Sequence, residues 1–244
     1  MASAHPGARI HIPSSHLAIY SHISANMIII QYIDVTLRGY SHLREVSSMF
    51  QTEEEMKRRT PRGSLDRLAY LQQLVTEFQT TDSKVCKQEV LANLGNFAYD
   101  PMNFDNLRRL NVADLFLDML TEDDDKLVEF GVSGLCNLAL DKELKSYINE
   151  NDGVGQVQQC LLSKTPETVL SAITCLMFLM TPSSKKEICS SETLSKIAAF
   201  SESEDRRLRN LAHVFFQDCC TVEQRRRYLK ETPDDETNQG IVPS

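Results

Sequence analysis

Histidine, cysteine, asparagine and arginine carry most of the chemistry this sequence could offer. His5, His11, His16 and His22 fall five or six residues apart in the N-terminal segment. Metal binding there is an open alternative, but no ligand set is assigned. His213 lies near Cys219 and Cys220. A zinc site needs several ligands converging at suitable spacing, so a packed helical histidine is expected instead. Gly153-Val154-Gly155 begins a dinucleotide-type glycine pattern, but Gln158 stands where the third glycine belongs and no strand precedes it. No P-loop, G-x-S-x-G or H-E-x-x-H occurs. No acid, base, nucleophile and metal ligand share a face. The expectation is a protein without an active site, cofactor, metal or small-molecule substrate.

Binding chemistry is better represented. Asn96 and Asn137 recur in similar phrases, LGNFAYD and LCNLALD. An asparagine amide offers both donor and acceptor, so it can clamp a peptide backbone without reading side chains. RRLR at 206–209 and RRRYLK at 225–230 make the C-terminal end locally basic. Arg206, Arg209, Arg225, Arg226 and Arg227 are therefore RNA or import-signal residues on one reading. On the other they form a solvated helix without function. The chain as a whole carries a net charge of −8, which suits a nucleic-acid backbone poorly. The run EDDD at 122–125 precedes a helix, where carboxylates favour the N-terminus. A solvated structural role is expected for it.

The seven cysteines include no C-x-x-C and mostly lie in apolar helical runs. They read as reduced, buried thiols. No run of 18 apolar residues exists, so no membrane span is expected. The apolar stretch 27–30 is too short for a signal peptide.

Positioning these side chains requires regular elements, and the sequence repeats itself. VLANLGNFAYDP from Val90, GVSGLCNLALD from Gly131, AITCLMFLMTP from Ala172 and AHVFFQDCCT from Ala212 align. Their fifth residues are Leu94, Leu135, Leu176 and Phe216, in steps of 41, 41 and 40. The first residues are small or short, and the eighth are Phe97, Leu138, Leu179 and Cys219. Offsets of 0, 4 and 7 mark one face of an α-helix. Asp100-Pro101 and Thr181-Pro182 end two of these helices. A second helix precedes each, over 65–78, 112–120, 154–162 and 193–200. Shorter helical pieces precede the last three of those. Polar turns between second and third helices supply Thr, Asp or Ser as N-caps, with Pro166 in a first turn. Short helix, helix, long helix in about 40–47 residues is the armadillo/HEAT unit. One unit cannot bury its apolar faces alone, whereas stacked units share a core. The fold expected is an all-α, armadillo-type right-handed superhelical solenoid of about four repeats, spanning 62–222. Residues 1–61 are expected to be a disordered or gene-model extension, with Met49 or Met56 as a natural start. Residues 223–244 are expected to be a helix end and flexible tail.

Beyond the general repeat, LVTEFQ, EVLANLGNFAYDP, VADLFLDMLTED, LVEFGVSGLCNL, ETVLSAIT and RLRNLA resemble the armadillo repeat-containing protein 7 family. The resemblance covers about residues 62–222. It implies a nuclear adaptor, with a cytoplasmic share left open. It also implies a partner carrying an RNA-recognition motif and membership of the minor spliceosome, which removes the rare class of introns. RNA would be met at most indirectly.

In such a stack the third helices line a concave groove. Helical offset places Glu89, Asn96, Tyr99, Glu129, Phe130, Ser133, Asn137, Phe178, Arg207 and Asn210 there. Mixed charge with aromatics suits a protein partner better than a phosphate backbone. The asparagines could instead bridge neighbouring repeats. Phe178 and Asp218 replace asparagine in the last two repeats, so a peptide ladder would be incomplete. Importin-like grooves carry a tryptophan one turn earlier. Here Ala92, Ser133, Thr174 and Val214 hold those positions, which argues against an import receptor. Direct RNA contact through the basic end and a general peptide-binding module are the alternatives.

Overall fold

The computed structural model describes residues 66–229. The expectations for residues 1–61 and for the tail beyond 229 lie outside these residues. Among the described residues there are twelve α-helices and no strand. They are α1 (Arg67–Thr80), α2 (Lys84–Ala98), α3 (Phe104–Arg109), α4 (Val112–Met119), α5 (Asp125–Leu138) and α6 (Lys142–Glu150). Then come α7 (Gly153–Cys160), α8 (Pro166–Leu179), α9 (Lys185–Ile188), α10 (Ser191–Phe200), α11 (Arg206–Cys219) and α12 (Val222–Leu229).

Capping chemistry sets the helix starts. Ser83 Oγ accepts from the Cys86 amide at α2, Asp124 from Lys126 at α5, and Asp205 from Arg207 at α11. Each satisfies an N–H that the helix leaves without an internal acceptor. Helix α8 starts instead with Pro166, whose fixed φ suits the first position. The residue ending the previous unit is reused as the next cap: Asp141 accepts from both Glu143 and Leu144 to open α6.

Two junctions turn through left-handed residues. Asn111 (φ 50°) precedes α4 and Asp152 (φ 57°) precedes α7. They occupy equivalent positions in consecutive repeats. A short polar side chain tolerates this region better than most. Gly153 follows because an added Cβ would sit 2.3 Å from Ile148 Cγ2. The glycines at 153 and 155 are thus helix-junction residues.

The third helices α2, α5, α8 and α11 pack in a row, each against the next. Leu94, Leu135, Leu176 and Phe216 are all 0% exposed along it. Burying a side chain of this size contributes roughly 1.5–3 kcal/mol. The second helices back the row: α1 lies on α2, α4 on α5, α7 on α8 and α10 on α11. At α4/α5 the approach is extreme. A Cβ on Gly134 would lie 2.4 Å from the Phe116 ring, and one on Gly131 would lie 3.0 Å from Met119 Cβ. Helix α12 closes the row, with Tyr228 stacked on Phe216 at 6.2 Å between ring centroids.

Candidate protein-binding face

Neighbouring third helices are joined by polar bonds as well as by leucines. Asn137 Nδ2, on α5, donates to the Gly95 carbonyl of α2 at 2.9 Å. Asn137 is only 2% exposed. Ser133 and Ser171 share a hydrogen bond at 3.0 Å between α5 and α8, and Ser133 is 1% exposed. Glu129 is 8% exposed and accepts from Lys126 Nζ at 2.9 Å. These three of the sequence-derived groove residues therefore sit within the stack. For Asn137 the structure shows the bridging role between repeats.

The remaining groove residues are more open. Glu89 and Arg207 are exposed, while Asn96, Tyr99, Phe130, Phe178 and Asn210 are half-buried. Lys126 Nζ stands 5.7 Å from the Phe130 ring centroid, linking cation and aromatic. Arg207 reaches back to Glu167 of α8 at 3.0 Å and to its own cap Asp205 at 2.9 Å. Its hydrogen bonds hold the Asp205 carboxyl below the usual carboxylate range, against the opposing effect of burial.

Asp124 departs from the solvated role expected for the acidic run. It caps α5 and also accepts from Gln88 Nε2 (2.9 Å) and pairs with Lys84 Nζ (3.1 Å) on α2. Burial pushes its carboxyl up, but the bonds from Lys84, Gln88 and the Lys126 amide outweigh this and hold it low. Composition hides such a role, since its neighbours Glu122, Asp123 and Asp125 are exposed as expected.

The basic residues divide. Arg206, Arg226 and Arg227 are exposed. Arg209 donates to the Ser203 carbonyl at 2.6 Å, and Arg225 is half-buried. Two further corrections concern side chains expected to be buried. His213 is exposed on α11, because its helical phase points away from Ala212 and Phe216. Cys86, Cys189 and Cys220 are half-buried, whereas Cys136, Cys160, Cys175 and Cys219 are buried; all seven are free. Among the described residues no group of three metal-ligating side chains converges, and no helix is long and apolar enough to cross a membrane.

Compared with known proteins, the sequence matches no family model. It is 49% identical over 160 residues to armadillo repeat-containing protein 7 of Mus musculus. That alignment covers 65% of this chain and 81% of the mouse protein. The chain belongs to the armadillo repeat-containing protein 7 family. Solved armadillo structures agree on the fold. A computationally designed armadillo repeat protein for modular peptide recognition superposes with a TM-score of 0.59 at 12% identity, covering 79% of this chain and 89% of its own. A designed armadillo repeat protein in complex with the peptide (KR)4 gives 0.58 at 14% identity, covering 72% and 77%. The all-α armadillo solenoid expected from the 41-residue period is therefore the fold of this family member.

Proposed function

We propose that this armadillo repeat-containing protein 7 family member is a non-enzymatic adaptor. It binds an RNA-recognition-motif protein within the minor spliceosome, in the nucleus, and supports splicing of the rare introns. Family membership is the observation that carries this reading, through the partner implied by the resemblance. The row of third helices supports it physically. Glu89, Phe130, Phe178, Arg207 and Asn210, which helical offset assigns to a common face, are exposed or half-buried and mix charge, aromatic surface and amide. Aromatics and arginine are the side chains enriched where protein interfaces bury their centres.

Affinity capture of the tagged full chain from nuclear extract tests the proposal. The expected result is co-purification of an RNA-recognition-motif protein with minor-spliceosome RNA, and retention of rare introns when the chain is depleted. Recovery of extended-peptide ligands alone, sensitive to Asn96→Ala, points instead to a peptide-binding module. RNA binding by the isolated chain that weakens steeply with salt points to direct contact through the exposed arginines.

A further inference from the structure

Each short helix touches the end of the next third helix. Arg108 of α3 pairs with Asp141, just past α5, at 3.1 Å. Asn149 of α6 donates to the Leu179 carbonyl at the end of α8 at 3.1 Å. Cys189, just past α9, donates to the Cys219 carbonyl at the end of α11 at 3.7 Å. The short helices therefore run in a row along the edge where the third helices end, and α12 follows α11 in the same way. The turns between second and third helices lie on the opposite edge, where the third helices begin.

Charge divides between these edges. Counting Lys and Arg against Asp and Glu, α3, α6, α9 and α12 carry +1, 0, +1 and +2. The turns 81–83, 120–124, 161–165 and 201–205 carry −1, −3, +1 and −3. The overall charge of −8 hides this polarity. Pairing sharpens it. Beside the turns, Lys84 is paired with Asp124, Lys126 with Glu129, and Arg207 with Asp205 and Glu167. On the short-helix edge Arg109, Lys142, Lys185 and Lys186 are exposed and Lys145 is half-buried. Among the described residues none of these five is in an ion pair; Arg108 takes the neighbouring Asp105, Asp141 and Glu143 instead. Helical offset puts Lys142 and Lys145 on the side of α6 that carries Asn149 toward the fourth repeat. Lys185 and Lys186 open α9 there.

Apolar surface accompanies the lysines. Leu140, just before α6, is 46% exposed, and Tyr147 of α6 is 39% exposed. A phosphodiester backbone leaves such side chains uncovered. It also carries an anion at every nucleotide, and the exposed Glu150 and Glu187 on the same short helices oppose it. An acidic peptide can cover Leu140 with an apolar side chain and set neutral residues opposite the glutamates. We propose that the short-helix edge is a second docking surface, for an acidic protein segment that interleaves carboxylates with apolar side chains. Lys142, Lys145, Lys185 and Lys186 take its carboxylates, and Leu140 takes an apolar side chain. This surface is separate from the third-helix face of the adaptor reading and does not depend on it.

Fluorescence anisotropy with the full chain tests the proposal. The probe is a labelled synthetic peptide of repeated Asp-Glu-Leu. Repeated Asp-Glu-Ser and poly-uridylate of matched length are compared with it. The Asp-Glu-Leu peptide should bind tightest, and more weakly as salt rises. The double variant Lys142→Glu/Lys185→Glu should weaken it about tenfold or more, with an unchanged thermal melt, because both lysines are exposed. Leu140→Ser should weaken it about threefold while leaving Asp-Glu-Ser binding unchanged. Lys164→Glu, at an exposed lysine on the opposite edge, should have no effect. Capture of an RNA-recognition-motif protein should survive the double variant, so the two surfaces fail separately. Three results overturn the proposal: no binding of the Asp-Glu-Leu peptide, an equal loss with Lys164→Glu, or tighter binding of poly-uridylate, which would mark a phosphodiester site.

Discussion

Gly134→Ala sets two known effects against each other at the tightest packing point of the stack. The added Cβ would lie 2.4 Å from Phe116 Cζ, 2.5 Å from Cε1 and 2.6 Å from Cε2. Phe116 is fully buried in α4, so its ring has no solvent-side space to turn into. Alanine is favoured over glycine inside a helix by about 1 kcal/mol. Overpacking a filled core costs about 1–3 kcal/mol, and occasionally more. Three ring atoms within van der Waals overlap place the clash at the upper end, so the net loss should be about 2 kcal/mol. Urea unfolding followed by circular dichroism reads this directly. With a slope of about 2 kcal/mol/M, the midpoint should fall by about 1 M at unchanged slope. Phe116→Leu alone should cost about 1–2 kcal/mol, from lost ring contacts and a residual cavity. In the double variant the clash is relieved, so its loss should be smaller than the sum by about 1 kcal/mol or more. A Gly134→Ala protein as stable as its parent, or a strictly additive double variant, would refute the reasoning.

Other substitutions probe other joints. Leu135→Asp buries an unpaired charge in the middle of the row and should cost about 4 kcal/mol or more, abolishing the single cooperative melt expected of so short a stack. Asn137→Ala leaves the Gly95 carbonyl without its inter-repeat donor and should cost about 1 kcal/mol by denaturant titration. Asp124→Ala removes a cap and the bonds to α2, for a loss of about 1–2 kcal/mol. Little of that comes from Lys84, whose side chain is mostly exposed. Asp124 and Asp205 both have depressed pKa values when folded, so their stabilisation is present above the unfolded value of about 3.9. It is lost as pH falls through the lower folded values. Thermal melts between about pH 2 and 6 should fall on the acid side, and fall less for Asp124→Ala.

What the sequence reveals and hides follows from how each feature is encoded. Leu94, Leu135, Leu176 and Phe216 are readable because every third helix buries the same face at the same interval. The caps Asp124, Asp141 and Asp205 are readable because capping is local, decided within three residues. The left-handed Asn111 and Asp152 are less so, since both residue types are common in every sort of turn. Helical offset places Ser133 and Asn137 toward the groove. It cannot show how deeply the next helix covers them, because that depends on the closeness that Gly95 and Gly134 permit. The second role of Asp124 depends on Lys84 and Gln88 one repeat earlier, and no local pattern reports it.

Crosslinking mass spectrometry on the endogenous complex tests the adaptor reading most directly. Lys84, Lys87 and Lys126 lie on the third helices α2 and α5, whereas Lys142, Lys145, Lys185 and Lys186 lie on the short helices α6 and α9. The account predicts crosslinks from the first set to a folded RNA-recognition-motif protein. Crosslinks confined to the second set, or a complex holding no such protein, would contradict it.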